Sequence, residues 1–243
     1  MKKFLLSIAL VAFSVANVAA QETSAEGLRW KGIMNNGFWS NWEISVAGGI
    51  NATAWNELGA DQDATGDLGW QIEGGLTKWF NPILGARVQL IGGQLNASDD
   101  NGLKNNWIMP HADAVINLSN WIGGYREDRV YYAKLFAGAG VNFVNVNNEA
   151  GSGFAGVAGL INTFRVCKQL DINLELKAML TPGRDMPAAI ASIAAEYGQI
   201  YSATLGIAYR FNKRDWNKAY SQDEIDAYLA SIAALESSLA DAH

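Results

Sequence analysis

The sequence predicts an all-β fold: an eight-stranded antiparallel up-and-down transmembrane β-barrel followed by a short C-terminal amphipathic helix. Three observations lead there. Apolar and polar residues alternate with a period of two over eight separate stretches, as in strands with two unlike faces. The alternation is sharpest late in the chain. Leu170, Ile172, Leu174, Leu176, Ala178 and Leu180 are interleaved with Asp171, Asn173, Glu175, Lys177 and Met179. Tyr201, Ala203, Leu205, Ile207, Tyr209 and Phe211 are interleaved with Ser202, Thr204, Gly206, Ala208 and Arg210. Second, one face is aliphatic and the other carries charges of both signs, which suits a strand with lipid on one side and a narrow polar lumen on the other. Third, the chain opens on an export signal. Met1-Lys2-Lys3 is the positive region, Phe4 to about Val15 the apolar core, and Val18-Ala19-Ala20 a small-residue cleavage site, with a mature start expected at Gln21.

Composition narrows the class further. The chain has 243 residues, a formal net charge of −6 and a mean hydropathy near zero. Mild acidity without a basic stripe argues against nucleic acid as a partner. The single Cys167 rules out an internal disulfide and a multi-cysteine metal site. After the signal no apolar run reaches the roughly 18 residues of a membrane helix, so a membrane would be crossed by strands. No cysteine sits at the cleavage point, so no lipoprotein anchor is expected.

In order, residues 1–20 are the signal and 21–37 an irregular lead-in with Gly27, Gly32, Asn35, Asn36 and Gly37. The barrel occupies 38–212. Its first strand, about 39–50, sets Trp42, Ile44, Val46, Gly48 and Ile50 against Asn41, Glu43, Ser45, Ala47 and Gly49. The second, 68–79, sets Leu68, Trp70, Ile72 and Leu76 against Gln71, Glu73 and Thr77. After the Asn81-Pro82 turn signal, the third, 83–94, sets Leu84, Ala86, Val88 and Leu90 against Arg87 and Gln89. The fourth, 107–118, sets Ile108, Ala112, Ala114, Ile116 and Leu118 against His111, Asp113 and Asn117. Pro110 lies inside it and points to a bulge or a late start. Residues 119–128 connect to the fifth strand, 129–143, where Tyr131, Ala133, Leu135, Ala137, Ala139 and Val141 oppose Tyr132, Lys134, Gly138, Gly140 and Asn142. Residues 145–153 read as a loop. The sixth strand, 154–166, has the most blurred alternation. The seventh and eighth are the two described above, joined through residues 181–198, of which 188–196 could form a helical turn. Connections after odd-numbered strands are mostly long and polar and the others shorter, as expected with both termini in the periplasm.

Period alone does not say which face is inside, because a soluble lipocalin-like barrel also alternates, with its apolar face inward. The charged face here is rich in glycine and alanine, as a narrow lumen requires. Its charges nearly balance: Glu43, Glu73, Asp113, Asp171 and Glu175 against Arg87, Lys134, Lys177 and Arg210. Trp39, Trp42, Trp79, Phe80, Trp121, Tyr209 and Phe211 fall near strand ends and are expected in interfacial girdles. Residues 213–243 are a polar exit and a helix. Ser221 to Glu224 is a capping box. Ile225, Tyr228, Ile232, Leu235 and Leu239 then follow at heptad spacing, with Leu229 widening the stripe. The helix would dock on a protein partner or self-associate.

Thr204, Gly206, Tyr209 and Phe211 have a spacing that resembles the terminal-strand signal read by the barrel-assembly machinery, which that resemblance implies as a partner during biogenesis. His111-Ala112-Asp113 through Asn117, Asn120, Gly123-Gly124-Tyr125-Arg126, then Tyr132 and Phe136-Ala137-Gly138, resembles the OmpA-like barrels of Bacteroidota outer membranes. Gly159, Asn162 and Arg165, then Leu170 to Glu175, resemble the same family. The likeness covers about residues 38–212. It implies a cell outer-membrane location with lipid around the barrel. Larger members continue from a helix into a peptidoglycan-binding domain; this sequence stops at His243, so the expectation is a barrel without that domain.

Chemistry is sparse. His111 and Asp113 share a face two residues apart, which suits acid/base work or a structural pair in the lumen. No metal site or cofactor is expected: the acids Asp61, Asp63 and Asp67, and Asp99 and Asp100, lack calcium-loop spacing. Gly138-Ala139-Gly140 and Gly151-Ser152-Gly153 open no βαβ unit. The expectation is a non-catalytic integral outer-membrane protein with a structural, envelope-organising or accessory-subunit role. Glu43, Glu73, Arg87, His111, Asp113, Lys134, Asp171, Glu175, Lys177 and Arg210 would plug its lumen. The alternatives are a small lipid-modifying enzyme of the outer membrane and a soluble periplasmic lipocalin-like binder.

Overall fold

A computed structural model describes residues 29–30, 33–34, 36–54, 68–96, 104–126, 128–146, 149–182, 197–211, 214–217 and 222–241. The signal segment, the loop acids Asp61, Asp63, Asp67, Asp99 and Asp100, residues 188–196, Ser221 and His243 lie outside them. Two units are distinguished, Trp39–Asp215 and a second formed by Met1–Phe38 with Trp216–His243.

The first unit is a closed ring of eight antiparallel strands. In chain order they are β3 (Trp42–Ala54), β4 (Gly69–Trp79), β5 (Leu84–Asn96), β6 (Lys104–Asn117), β7 (Tyr131–Val146), β8 (Glu149–Arg165), β9 (Leu170–Pro182) and β10 (Tyr197–Phe211). Each pairs with its sequence neighbour, and β10 closes on β3 from Gln199↔Ala54 to Phe211↔Trp42. Closure leaves no edge with unpaired backbone groups, which a lipid-facing sheet could not tolerate.

Burial settles the orientation. Leu174, Leu205 and Ile207 are 38%, 62% and 57% exposed, while Glu175 and Lys177, on either side of outward Leu176, are each 4% exposed. The aliphatic side chains point out and the charged ones in, the reverse of a lipocalin, so the soluble-binder alternative is overturned. The same phase holds along all eight strands.

Several expectations need correction. The 145–153 loop does not exist as such. β7 and β8 run through it, with Asn145↔Ala150 and Val146↔Glu149 paired, and only residues 147–148 separate the strands. Its Asn/Gly content hid an alternation with small residues on both faces. Pro110 makes no bulge. It pairs with Leu90 of β5, and on the other side Ile108↔Phe143 and His111↔Gly140 keep one register. The ladder to β7 simply skips positions 109 and 110, where the missing N–H falls. The 119–128 connection begins with a one-and-a-half-turn helix, α1 (Leu118–Gly123), capped by the Asn117 side chain, which accepts from the Asn120 N–H at 3.0 Å. The turn at Asn81 works as expected: its Oδ1 accepts from the N–H groups of Ile83 and Leu84, both at 2.8 Å.

Trp79 is not in a girdle. It shares the phase of Gln71, Glu73 and Thr77, so it turns into the lumen and is 4% exposed. The outward aromatics form two bands instead. Trp42, Tyr131, Phe164, Tyr209 and Phe211 lie at the short-turn end; Trp70, Phe143, Phe154 and Tyr201 lie toward the long-connection end. Two aromatic belts with an aliphatic band between are what a barrel in a bilayer presents.

In the second unit the lead-in is not wholly irregular. β1 (Arg29–Trp30) pairs antiparallel with β2 (Ile33–Met34), and the Met34 N–H donates to the Asn217 carbonyl at 2.9 Å. The predicted tail helix is present as α2 (Gln222–Asp241).

Candidate functional site

The feature that sets this barrel apart from an empty tube is its lumen. Inward glycines make room for it. A Cβ at Gly138 would collide with the Ala112 carbonyl and with Asp113, and one at Gly159 would lie 2.7 Å from the Phe136 ring. Gly138→Val is therefore expected to destabilise the barrel by about 1–3 kcal/mol. Outward-facing Gly156, with nothing within 4 Å of its Cβ position, should accept valine with little change. Urea midpoints of the refolded barrels in detergent would measure both.

The space holds two tiers of charge. In the middle tier, Arg87 of β5 is a hub. Its Nε bonds Asp113 Oδ2 at 2.8 Å, and Nη1 and Nη2 bond Glu175 at 2.8 and 3.1 Å. β5 and β9 lie on opposite sides of the ring, so this bidentate bond crosses the lumen. Lys177 bonds Glu175 Oε1 at 2.9 Å and also holds Glu73 of β4. Glu73 accepts further from Thr204 Oγ1 at 2.8 Å and from Gln71 Nε2 at 3.3 Å. His111 Nδ1 lies 2.8 Å from Asp113 Oδ1, and the Arg87 guanidinium sits 4.3 Å from the Phe136 ring centre.

The second tier lies at the short-turn end. Arg210 bonds Glu43 Oε2 at 2.8 Å and reaches Asp171 Oδ2 at 3.4 Å. Trp79 donates from Nε1 to Glu43 at 3.3 Å, and its ring lies 5.2 Å from Lys134 Nζ and 5.7 Å from the Arg210 guanidinium. Arg214, past the end of β10, folds back to the same acid: its Nη2 bonds Asp171 Oδ1 at 3.0 Å, and Nη1 reaches the carbonyls of Cys167 and Lys168. Asn41 pins this segment by donating Nδ2 to the Arg214 carbonyl at 2.7 Å. It does so from a left-handed backbone, φ 59°, that asparagine accepts better than most residues. Burial, with Arg210 close by, holds the Arg214 guanidinium below its ordinary pKa; Asp171 opposes that shift.

All ten residues of the expected lumen set face inward and come together in these tiers. Of the terminal-strand set, Thr204 and Gly206 face in and Tyr209 and Phe211 face out. Leu229, Ile232, Leu235 and Leu239 of the helix seam are exposed, as is Tyr228; the Ile225 side chain lies outside the description. Three participants were missed. Trp79 could have been found from the phase of its strand. Arg214 follows the last strand and has no periodic signal. The third is an apolar cluster in the half of the lumen toward the end of β5 and the start of β6, Ile91, Leu95, Trp107, Met109, Val144, Met179 and Ile200, each 2% exposed or less. All hold inward positions, but both faces are apolar there, so alternation fades.

Between the tiers a cavity of about 20 Å³ remains, lined by Glu43, Thr77, Trp79, Arg87, Lys134 and Glu175 among others. That is room for about one water. His111 is held by an acid that Arg87 also binds, and its Nε2 faces no hydrogen-bond partner among the described residues. Among those residues, no group of three or more metal-ligating side chains occurs.

No family model matches the chain. It is 25% identical over 244 residues to outer membrane protein 40 of Porphyromonas gingivalis, covering 91% of this chain and 60% of that one. It is 25% identical over 191 residues to outer membrane protein 41 of the same species, covering 73% of this chain and 49% of that one. The chain thus spans roughly half to three fifths of the length of these relatives. Among solved structures, neisserial surface protein A matches at 8% identity with a TM-score of 0.48, over 70% of this chain and 97% of the other. The chain is an eight-stranded outer-membrane β-barrel similar in sequence to these two outer membrane proteins of Porphyromonas gingivalis.

Proposed function

We propose that this barrel serves a structural or accessory-subunit role in the envelope, with a lumen closed by its own side chains and no catalytic activity. The observation that carries this reading is the cross-lumen network centred on Arg87, beside which lies a cavity of about 20 Å³. An eight-stranded ring is just wide enough for side chains to fill, and Arg214 brings the named charges to five acids and five bases. Closed tiers of paired charge leave no continuous water column for solutes. The short-turn end, where β3 begins and β10 ends, faces the periplasm in this reading. His111 is turned away from lipid, which supports a structural pair with Asp113 over lipid-modifying chemistry.

Purified barrel added to planar bilayers is expected to give no conductance comparable to a general porin. Porin-sized steps would overturn the closed-lumen reading. An altered lipid A acylation profile in a His111→Ala strain would instead favour the enzyme.

A further inference from the structure

We propose that α2 docks through its apolar face into an apolar groove rimmed by lysine and arginine on another envelope protein. This rests on the accessory-subunit reading above and gives that partner a chemistry.

The face comes first. At 100° per residue, Ile225, Tyr228, Leu229, Ile232, Leu235 and Leu239 fall within an arc of about 120°. That is wider than a two-stranded coiled-coil seam and has the width of a stripe that packs into a groove or bundle. Leu229, Ile232, Leu235 and Leu239 are 59%, 51%, 68% and 65% exposed. Large apolar side chains this exposed along one helix face mark an interaction surface.

Charge then selects the occupant. Gln222–Asp241 contains the acids Asp223, Glu224, Asp226, Glu236 and Asp241 and not one lysine or arginine. Glu236 falls by phase inside the apolar arc, one turn from Ile232 and from Leu239. A second copy would bring no cation. Its flanking heptad positions are Leu229 and Glu236 on one side and Glu224, Ser231 and Ser238 on the other, so no flanking ion pair could form to set register. An anionic lipid surface would repel the same acids. A groove with apolar holes and basic rims satisfies both features, and it places a cation against Glu236.

The test uses the full chain in a bacterium that makes it, with a photo-crosslinking residue at Leu235, at Ala234 on the opposite face, or at Trp121 in α1. The expected result is one discrete protein adduct from position 235 and none from 234, joined through a partner peptide that carries lysine or arginine beside apolar residues. With that partner purified and the full chain in nanodiscs, Glu236→Lys should weaken binding about tenfold or more, and Glu236→Gln less. Heat-modifiable gel migration confirms that each variant still forms its barrel. A chain-to-chain adduct, a lipid adduct alone, a contact peptide without basic residues, or undiminished binding by Glu236→Lys would overturn the proposal. Adducts from position 121 with none from 235 remove this inference and leave the accessory-subunit reading standing. No protein adduct from either removes both.

Discussion

Replacing Arg87 with methionine is expected to cost about 3–5 kcal/mol of barrel stability, the penalty for breaking a buried ion pair from one side. Arg87 bonds Asp113 on one neighbour strand and, across the lumen, both oxygens of Glu175. The Asp113 and Glu175 side chains are 0% and 6% exposed. Without the guanidinium, among the described residues Asp113 keeps His111 as its ion-pair partner, and Glu175 keeps Lys177, which is already shared with Glu73. Methionine fills much of the volume, so a loss of this size would report uncompensated charge rather than a void. The control follows from the same reasoning. Adding Asp113→Asn and Glu175→Gln to Arg87→Met should recover most of the loss, because uncharged groups of similar shape carry far less desolvation cost. Urea unfolding in detergent micelles, followed by tryptophan fluorescence, would measure the series. Full additivity of the three changes would show that the groups do not act as one network.

What the sequence made legible was the outside of this barrel and the charged part of its inside. Leu174, Glu175, Leu176 and Lys177 alternate so cleanly because lipid and lumen make opposite demands on adjacent residues, and no other arrangement of the strand satisfies both. The ladder order followed, since up-and-down closure pairs each strand with its neighbour. Legibility failed wherever that contrast weakened. Over residues 145–153 the chain is mostly asparagine, glycine and other small residues, so the ends of β7 and β8 that meet there read as a loop. At Ile91, Leu95, Trp107 and Met109 the lumen itself is apolar, and period two no longer distinguishes in from out. Arg214 reaches Asp171 from a segment with irregular backbone, and no periodicity links positions 43 residues apart. The partners of each charge were likewise not readable. Arg87 and Glu175 meet because ring closure sets β5 opposite β9, a consequence of strand number that one strand's pattern does not contain.

Leu205→Arg is expected to cost about 2–4 kcal/mol, and Tyr201→Arg only about 0–1, because the penalty for a cation on the lipid face depends on its depth. Both residues lie on β10 with the same outward phase, 62% and 47% exposed. Leu205 is midway between Tyr209 in one aromatic band and Tyr201 in the other, so it marks the centre of the aliphatic belt. It pairs with Leu174 and Gly48, and Gly48 offers an arginine no polar group to reach. Tyr201 sits where headgroups and water begin, and an arginine there can extend its guanidinium out of the hydrocarbon. In a water-exposed barrel the two substitutions would be indistinguishable, because surface arginines there cost little at either height. Folding free energies measured in lipid vesicles, with the same pair repeated in detergent micelles, would read the gradient. Equal costs at positions 205 and 201 in bilayers would mean that the belt between the aromatic bands is not the part of the barrel buried in hydrocarbon.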